Sequence, residues 1–147
     1  MADSDRAEKA VACFKEGFSC SQAVLSAFAS DFGLDRDLAL KVSAGFGAGM
    51  GRMAQTCGAV TGAIMVLGLR HGATVGQDRK AKENTYTVVR EFVKRFTLLN
   101  GSAVCKDLLG CDISTPEGFQ RAREKDLMGT RCTKFVRDAV EILQQLP

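Results

Sequence analysis

The sequence predicts an all-α fold: a single domain over residues 1–147, packed as a bundle of about six to seven helices with a central buried helix starting near Cys57. Apolar residues recur at three- and four-residue spacing almost throughout, and no run alternates with the period of two that marks a half-buried strand. The chain contains no internal repeat, no low-complexity segment and no linker long enough to divide it. At this length one core can bury roughly two thirds of the surface that an unfolded chain exposes.

The first helix is expected over roughly residues 4–16, with Val11, Phe14 and Phe18 toward one side. Ser19 opens the second as N-cap: its hydroxyl and Gln22, three residues on, form a capping box, and the helix ends near Gly33. A short third helix over residues 35–44 leads into GFGAGMGRMAQT, where glycines interrupt any regular element. The fourth begins at Thr56 or Cys57 and runs to about Arg70, closed by Gly72. The fifth, residues 78–99, carries Tyr86, Val89, Val93 and Phe96 as its apolar stripe and stops at the C-cap pair Asn100-Gly101. Ser102 caps a short helix with Cys105 at its third position. Thr115-Pro116-Glu117 starts another, with proline in the first slot, where a missing N–H costs nothing. A last helix is expected from about Thr130, with Cys132 in its first turn.

Composition narrows the function. The net charge is only +3, and Lys and Arg are interleaved with Asp and Glu instead of forming a basic block. With no Trp and one Tyr there is little surface on which bases could stack, so no nucleic-acid partner is expected. The longest apolar run, residues 59–69, is about half the length a bilayer requires, so no membrane span is expected. The first residues show no apolar signal-peptide core, which points to the cytoplasm.

Six cysteines are many for such a protein: Cys13, Cys20, Cys57, Cys105, Cys111 and Cys132. A reducing compartment disfavours structural disulfides, so redox chemistry or metal ligation becomes the question. No C-x-x-C pair and no haem-attachment motif occurs. Cys20, Cys57, Cys105 and Cys132 each fall in the first turn of an expected helix. There the positive end of the helix dipole and the free N–H groups should lower a thiol pKa. Each also heads an apolar stripe, so the four can converge. Cysteine also fills small gaps at helix ends, and simple packing is the competing explanation. Cys13, mid-helix beside Phe14, is read as packing, and Cys111 as a structural or spare thiol.

The glycine loop fits neither a dinucleotide nor a P-loop pattern in any register. Its glycines permit positive φ and close helix approach, and Gly47, Gly49, Gly51 and Gly58 are candidates for backbone N–H donors to a cysteine site. Gly58 and Gly62, four apart on the central helix, let another backbone come near. His71, the only histidine, lies about a helix length from Cys57 and is read as a helix-end residue.

The ordered set GFSCSQAVL, GFGAGMGRMAQTCGAVTGAIMVLGL, GSAVCKDLLGCDIST and CTKFVRDAVEIL resembles a family of small redox proteins named for a C, CGAxxG, C, C pattern, and the resemblance spans nearly the whole chain. It implies a helical, redox-active protein whose four shared cysteines are Cys20, Cys57, Cys105 and Cys132. Related domains occur in larger c-type haem proteins, where the cysteines look like an iron–sulfur site. This chain lacks the haem motif, so only the cysteine part carries over. The leading expectation is an electron-transfer protein, with an unidentified redox partner protein, in which the four cysteines ligate an iron–sulfur cluster. Metal-free dithiol–disulfide cycling, a structural zinc site and merely packed cysteines are the alternatives. Oligomeric state is left open.

Overall fold

The computed structural model describes residues 3–147, with side chains from residue 5 onward. Among them are eight α-helices, one for each segment expected, and no strand: α1 (Asp3–Lys15), α2 (Cys20–Ala29), α3 (Arg36–Ser43), α4 (Gly58–His71), α5 (Arg79–Asn100), α6 (Cys105–Leu109), α7 (Pro116–Glu124) and α8 (Thr133–Gln145). Single 3₁₀ turns follow α2 and α3, and a π-helical turn, Met128–Cys132, runs directly into α8.

Local chemistry sets most of the boundaries. Ser19 and Gln22 form the capping box: Ser19 N–H donates to Gln22 Oε1 at 2.9 Å, and Gln22 N–H to Ser19 Oγ at 3.4 Å. Asp35, Asp78 and Thr115 each accept from the N–H three residues on, capping α3, α5 and α7. Gly33 and Gly101 take left-handed conformations at the ends of their helical segments.

Helix α4 is the centre. It packs most extensively on α2 and also meets α5 and α8, while α1 closes the outside against α2 and α8. Val60, Ala63, Val66 and Leu67 are buried between these neighbours. Phe92 and Phe96 of α5 have ring centroids 6.1 Å apart, and Phe96 meets Phe135 of α8 edge-on at 6.1 Å. The apolar seam of α5 is therefore Val88, Phe92 and Phe96, and Tyr86, expected within it, is 51% exposed. The two stacked phenylalanines bury the most area, and the helix rotates to suit them. At the far end, Arg70 donates to Leu143 O at 2.7 Å and Leu146 O at 3.3 Å, tying α4 to the C-terminus of α8.

Between α3 and α4 the backbone turns left-handed. Ala48, Gly49, Met50, Gly51 and Arg52 have φ of 55°, 71°, 67°, 58° and 62°, and Ala54 has 58°. Gly51 N–H donates to Gly45 O at 2.8 Å and Gln55 N–H to Gly49 O at 2.9 Å, closing the turn internally. Left-handed geometry costs roughly 1–2 kcal/mol per non-glycine residue, so the surroundings must impose it. They do so through close backbone packing: a Cβ on Gly49 would meet Gln55 N at 2.5 Å, and one on Gly47 would meet Ser19 Cβ at 2.5 Å. Glycine freedom was expected here; its extension to Ala48, Met50 and Arg52 was not.

Candidate functional site: a four-cysteine cavity

Cys20, Cys57, Cys105 and Cys132 all line one cavity of about 130 Å³. Each is buried, with 5–8% of its surface exposed. Phe14, Leu108, Leu109, Ile113, Met128 and Phe135 supply most of the remaining wall, and no charged side chain lines it among the described residues. The volume approaches the ~150 Å³ of apolar cavities that admit a benzene-sized guest.

Three devices bring the sulfurs together. The first is the close approach of α2 and α4. A Cβ on Gly62 would lie 2.7 Å from Ser21 O and 3.1 Å from Ser21 Cα, and one on Gly58 would lie 3.0 Å from Ser21 N and 3.2 Å from Cys20 Cβ. Both glycines therefore seat α4 against the residue that follows Cys20.

The second device is an isolated antiparallel bridge between Thr56 and Val104. Cys57 N–H donates to Ala103 O at 2.8 Å and Cys105 N–H to Gln55 O at 2.6 Å. Cys57 thus faces Ala103 in register, and Cys105 stands two residues further along the partner segment. Side chains two apart share a face, so Cys57 and Cys105 are diagonal neighbours on the cavity side. A three-residue bridge carries no alternation for a sequence pattern to reveal, and sequence reasoning missed it.

The third device is the π-helical turn, which carries Met128 and Cys132 to the wall and continues into α8 without a break. This corrects one expectation: Cys132 sits at a π-to-α junction, not at a free helix start. Two others are refined. Cys57 is the N-cap of α4, and Cys105 is the first residue of α6, whose N-cap is Val104. Ser102 instead accepts from Val104 N–H at 2.9 Å, shaping the turn before the helix.

The electrostatics also differ from expectation. Burial pushes the Cys57 thiol up to about 12, although the N–H groups of Ala59 and Val60 donate to its sulfur and pull the other way. Cys105 is likewise pushed up to about 12, by burial first and then by the neighbouring Cys57, Cys132, Cys111 and Asp112. The helix-end effect is present at Cys57, but loss of water outweighs it. Cys20 and Cys132 influence one another most strongly. The neighbouring Cys20 holds the Cys132 thiol below the ordinary thiol range, while the Cys132 sulfur and burial raise Cys20 well above it.

Among the described residues, no three His, Cys, Asp or Glu side chains are already drawn together as ligands of one metal ion. A tetrahedral zinc, with Zn–S near 2.3 Å, holds its sulfurs roughly 3.8 Å apart. The donors are four thiols with no competing charged group.

Of the candidate N–H donors, Gly49 and Gly58 line the cavity, Gly47 packs on Ser19, and Gly51 already donates to Gly45 O. Cys13 lies elsewhere, 3.6 Å from Ser26 Oγ. Cys111 is half-buried, with its thiol donating to Gly118 O at 3.6 Å. His71 ends α4 beside Asn84, outside the cavity. No helix among the described residues is long and apolar enough to cross a membrane.

No curated protein and no solved structure matches the chain. A family model does, over residues 18–146, and that span contains all four cavity cysteines. The family's pattern is written GCAxxG, whereas this chain reads Cys57-Gly58-Ala59-Val60-Thr61-Gly62, with cysteine ahead of glycine. A match of this extent places the chain in the family described as "Putative redox-active protein (C_GCAxxG_C_C)".

Proposed function

We propose that the protein is an electron-transfer protein whose centre is formed by Cys20, Cys57, Cys105 and Cys132, with an iron–sulfur cluster as the group they hold. The observation that carries this reading is the arrival of four buried sulfurs, from four separate segments, at one cavity without charged walls. When bound, such a cluster supplies a one-electron couple. The chain's own contribution is to hold four thiolates, exclude water with the Phe14, Leu108 and Phe135 side chains, and offer the N–H groups of Gly49 and Gly58 to the sulfurs, which tunes the potential. The whole chain acts as one domain, and electrons pass to a partner protein.

A second reading is favoured by one feature: Cys20 and Cys132 line the same cavity, and Cys20 holds the Cys132 thiol below its ordinary range. Here Cys132 as thiolate attacks a disulfide of a partner protein, and one partner sulfur leaves as thiolate. Cys20 gives up its proton and displaces the second partner sulfur, leaving a Cys20–Cys132 disulfide and a reduced partner dithiol.

Anaerobic purification followed by a visible spectrum and iron, sulfide and zinc analysis separates the readings. A brown protein with iron and sulfide, lost in Cys57→Ser and Cys105→Ser, is expected. A colourless, metal-free protein that forms a Cys20–Cys132 disulfide on mild oxidation transfers the assignment to thiol exchange. Bound zinc, or six inert thiols, refutes both.

A further inference from the structure

We propose that Arg131 is the positioning residue of the four-cysteine centre, fixing the Cys105 segment against the Cys132 segment. This rests on the reading that the four cysteines act together. Helix α6 has five residues, too few to be stable alone, and its last carbonyls have no partners within the helix. Its start is fixed by the bridge at Gln55, but its far end, which carries Leu108 and Leu109 to the cavity, needs a separate anchor.

Arg131 supplies it. One guanidinium nitrogen, Nη1, donates to Leu108 O at 3.2 Å and to Leu109 O at 2.9 Å. The helix then leaves through Gly110 at φ +72°, where a Cβ would stand 3.4 Å from that nitrogen. Glycine serves the left-handed turn, which brings Gly110 into ordinary contact range of the guanidinium. Arg131 is the residue before Cys132 and lies within the π-helical turn. The extra residue of such a turn re-aims the side chains around it, a device common at functional sites. A displacement of α6 along the cavity is therefore transmitted through one side chain to the backbone that carries Cys132.

The test uses the full chain, with cobalt(II) as probe under anaerobic conditions. The wild type is compared with Arg131→Met, which keeps the stem and loses the donors, and Arg131→Lys, which keeps a charged donor. Thiolate-to-cobalt charge-transfer absorption gives the affinity, and thermal unfolding of the metal-free proteins is run alongside. Arg131→Met is expected to weaken cobalt binding at least tenfold and to alter the charge-transfer band, while the melting temperature moves by a few degrees at most. Arg131→Lys is expected to recover part of the affinity. Equal affinity and an unchanged band in Arg131→Met overturn the assignment of Arg131 and leave the cysteine centre standing. A wild type that binds no cobalt through its thiols overturns the metal-holding reading of the centre and the Arg131 assignment with it. An affinity loss that only tracks a lower melting temperature and is not rescued by lysine makes Arg131 a general stabiliser and refutes a positioning role.

Discussion

Replacing Gly62 by alanine tests the contact between α2 and α4, the most extensive helix pair among the described residues. The added Cβ would lie 2.7 Å from Ser21 O and 3.1 Å from Ser21 Cα, both backbone atoms that no rotamer change can move. Reaching an ordinary contact of 3.4 Å requires α2 and α4 to part by about 0.7 Å. Overpacking of this kind costs about 1–3 kcal/mol, and alanine returns at most about 1 kcal/mol of helix propensity. The expected net loss is about 1–2 kcal/mol, or roughly 2–8 °C of melting temperature for a domain of this size. Gly68 is the control: it lies on the same helix, and a Cβ there meets nothing within 4 Å. Gly68→Ala should leave stability unchanged or raise it by up to about 1 kcal/mol. Urea and thermal unfolding of both variants measure the contrast. A Gly62→Ala protein as stable as the wild type, or a Gly68→Ala protein that loses as much, refutes the claim that the two helices meet backbone to backbone at Ser21.

In Gly49→Ala, the clash with the backbone at Gln55 adds to an unfavourable φ of +71°, and a loss of about 3 kcal/mol or more in unfolding free energy is expected. Brief treatment of the metal-free, reduced protein with iodoacetamide should label Cys111, the half-buried cysteine, well ahead of the five buried ones, as read by peptide mass spectrometry. The stability of the metal-free protein should depend on alkaline pH. Cys57 holds its proton to about 12 when folded and to about 9 when unfolded, so its contribution is complete below pH 9 and declines toward pH 12, by at most about 1.4 kcal/mol per pH unit. Urea melts from pH 8 to 11 measure that slope, which Cys57→Ala should reduce.

The parts of this fold legible in the sequence are those set by neighbours along the chain. The Ser19–Gln22 box, the Thr115-Pro116 start and the glycine after Asn100 act within a turn, and the helices begin and end where those residues stand. The choice of Cys20, Cys57, Cys105 and Cys132 was legible for a related reason: each precedes or opens an inward-facing apolar stripe. Three features were not legible because distant partners decide them. The bridge at Thr56 exists through Val104, the rotation of α5 through its phenylalanines meeting Phe135, and the π-helical turn within a helical run whose composition looks like ordinary α-helix. The thiol energetics belong with these. A helix start can be read from sequence, but the water its sulfur loses depends on every segment that covers it.

At Cys57 that competition can be followed directly. Two backbone N–H groups favour the thiolate, burial disfavours it, and a rise from 9.0 to about 12 shows burial prevailing by a wide margin. Further thiolates compound the difficulty, because each sulfur raises its neighbours: Cys20 is lifted by Cys132, Cys57 and Cys105 together. Cys132 is the exception, its thiol held below the ordinary range by Cys20, while Cys20, Cys57 and Cys105 are all raised. Two changes relieve this frustration. Positive charge from bound iron favours the deprotonated sulfurs that would otherwise repel one another, and oxidation to a disulfide removes the ionisable groups altogether. Both belong to the chemistry proposed above for this centre. Gly62 sets the approach of α2 to α4 and Arg131 that of α6 to the π-helical turn, so under the proposed reading these residues without sulfur govern how closely the sulfurs approach one another.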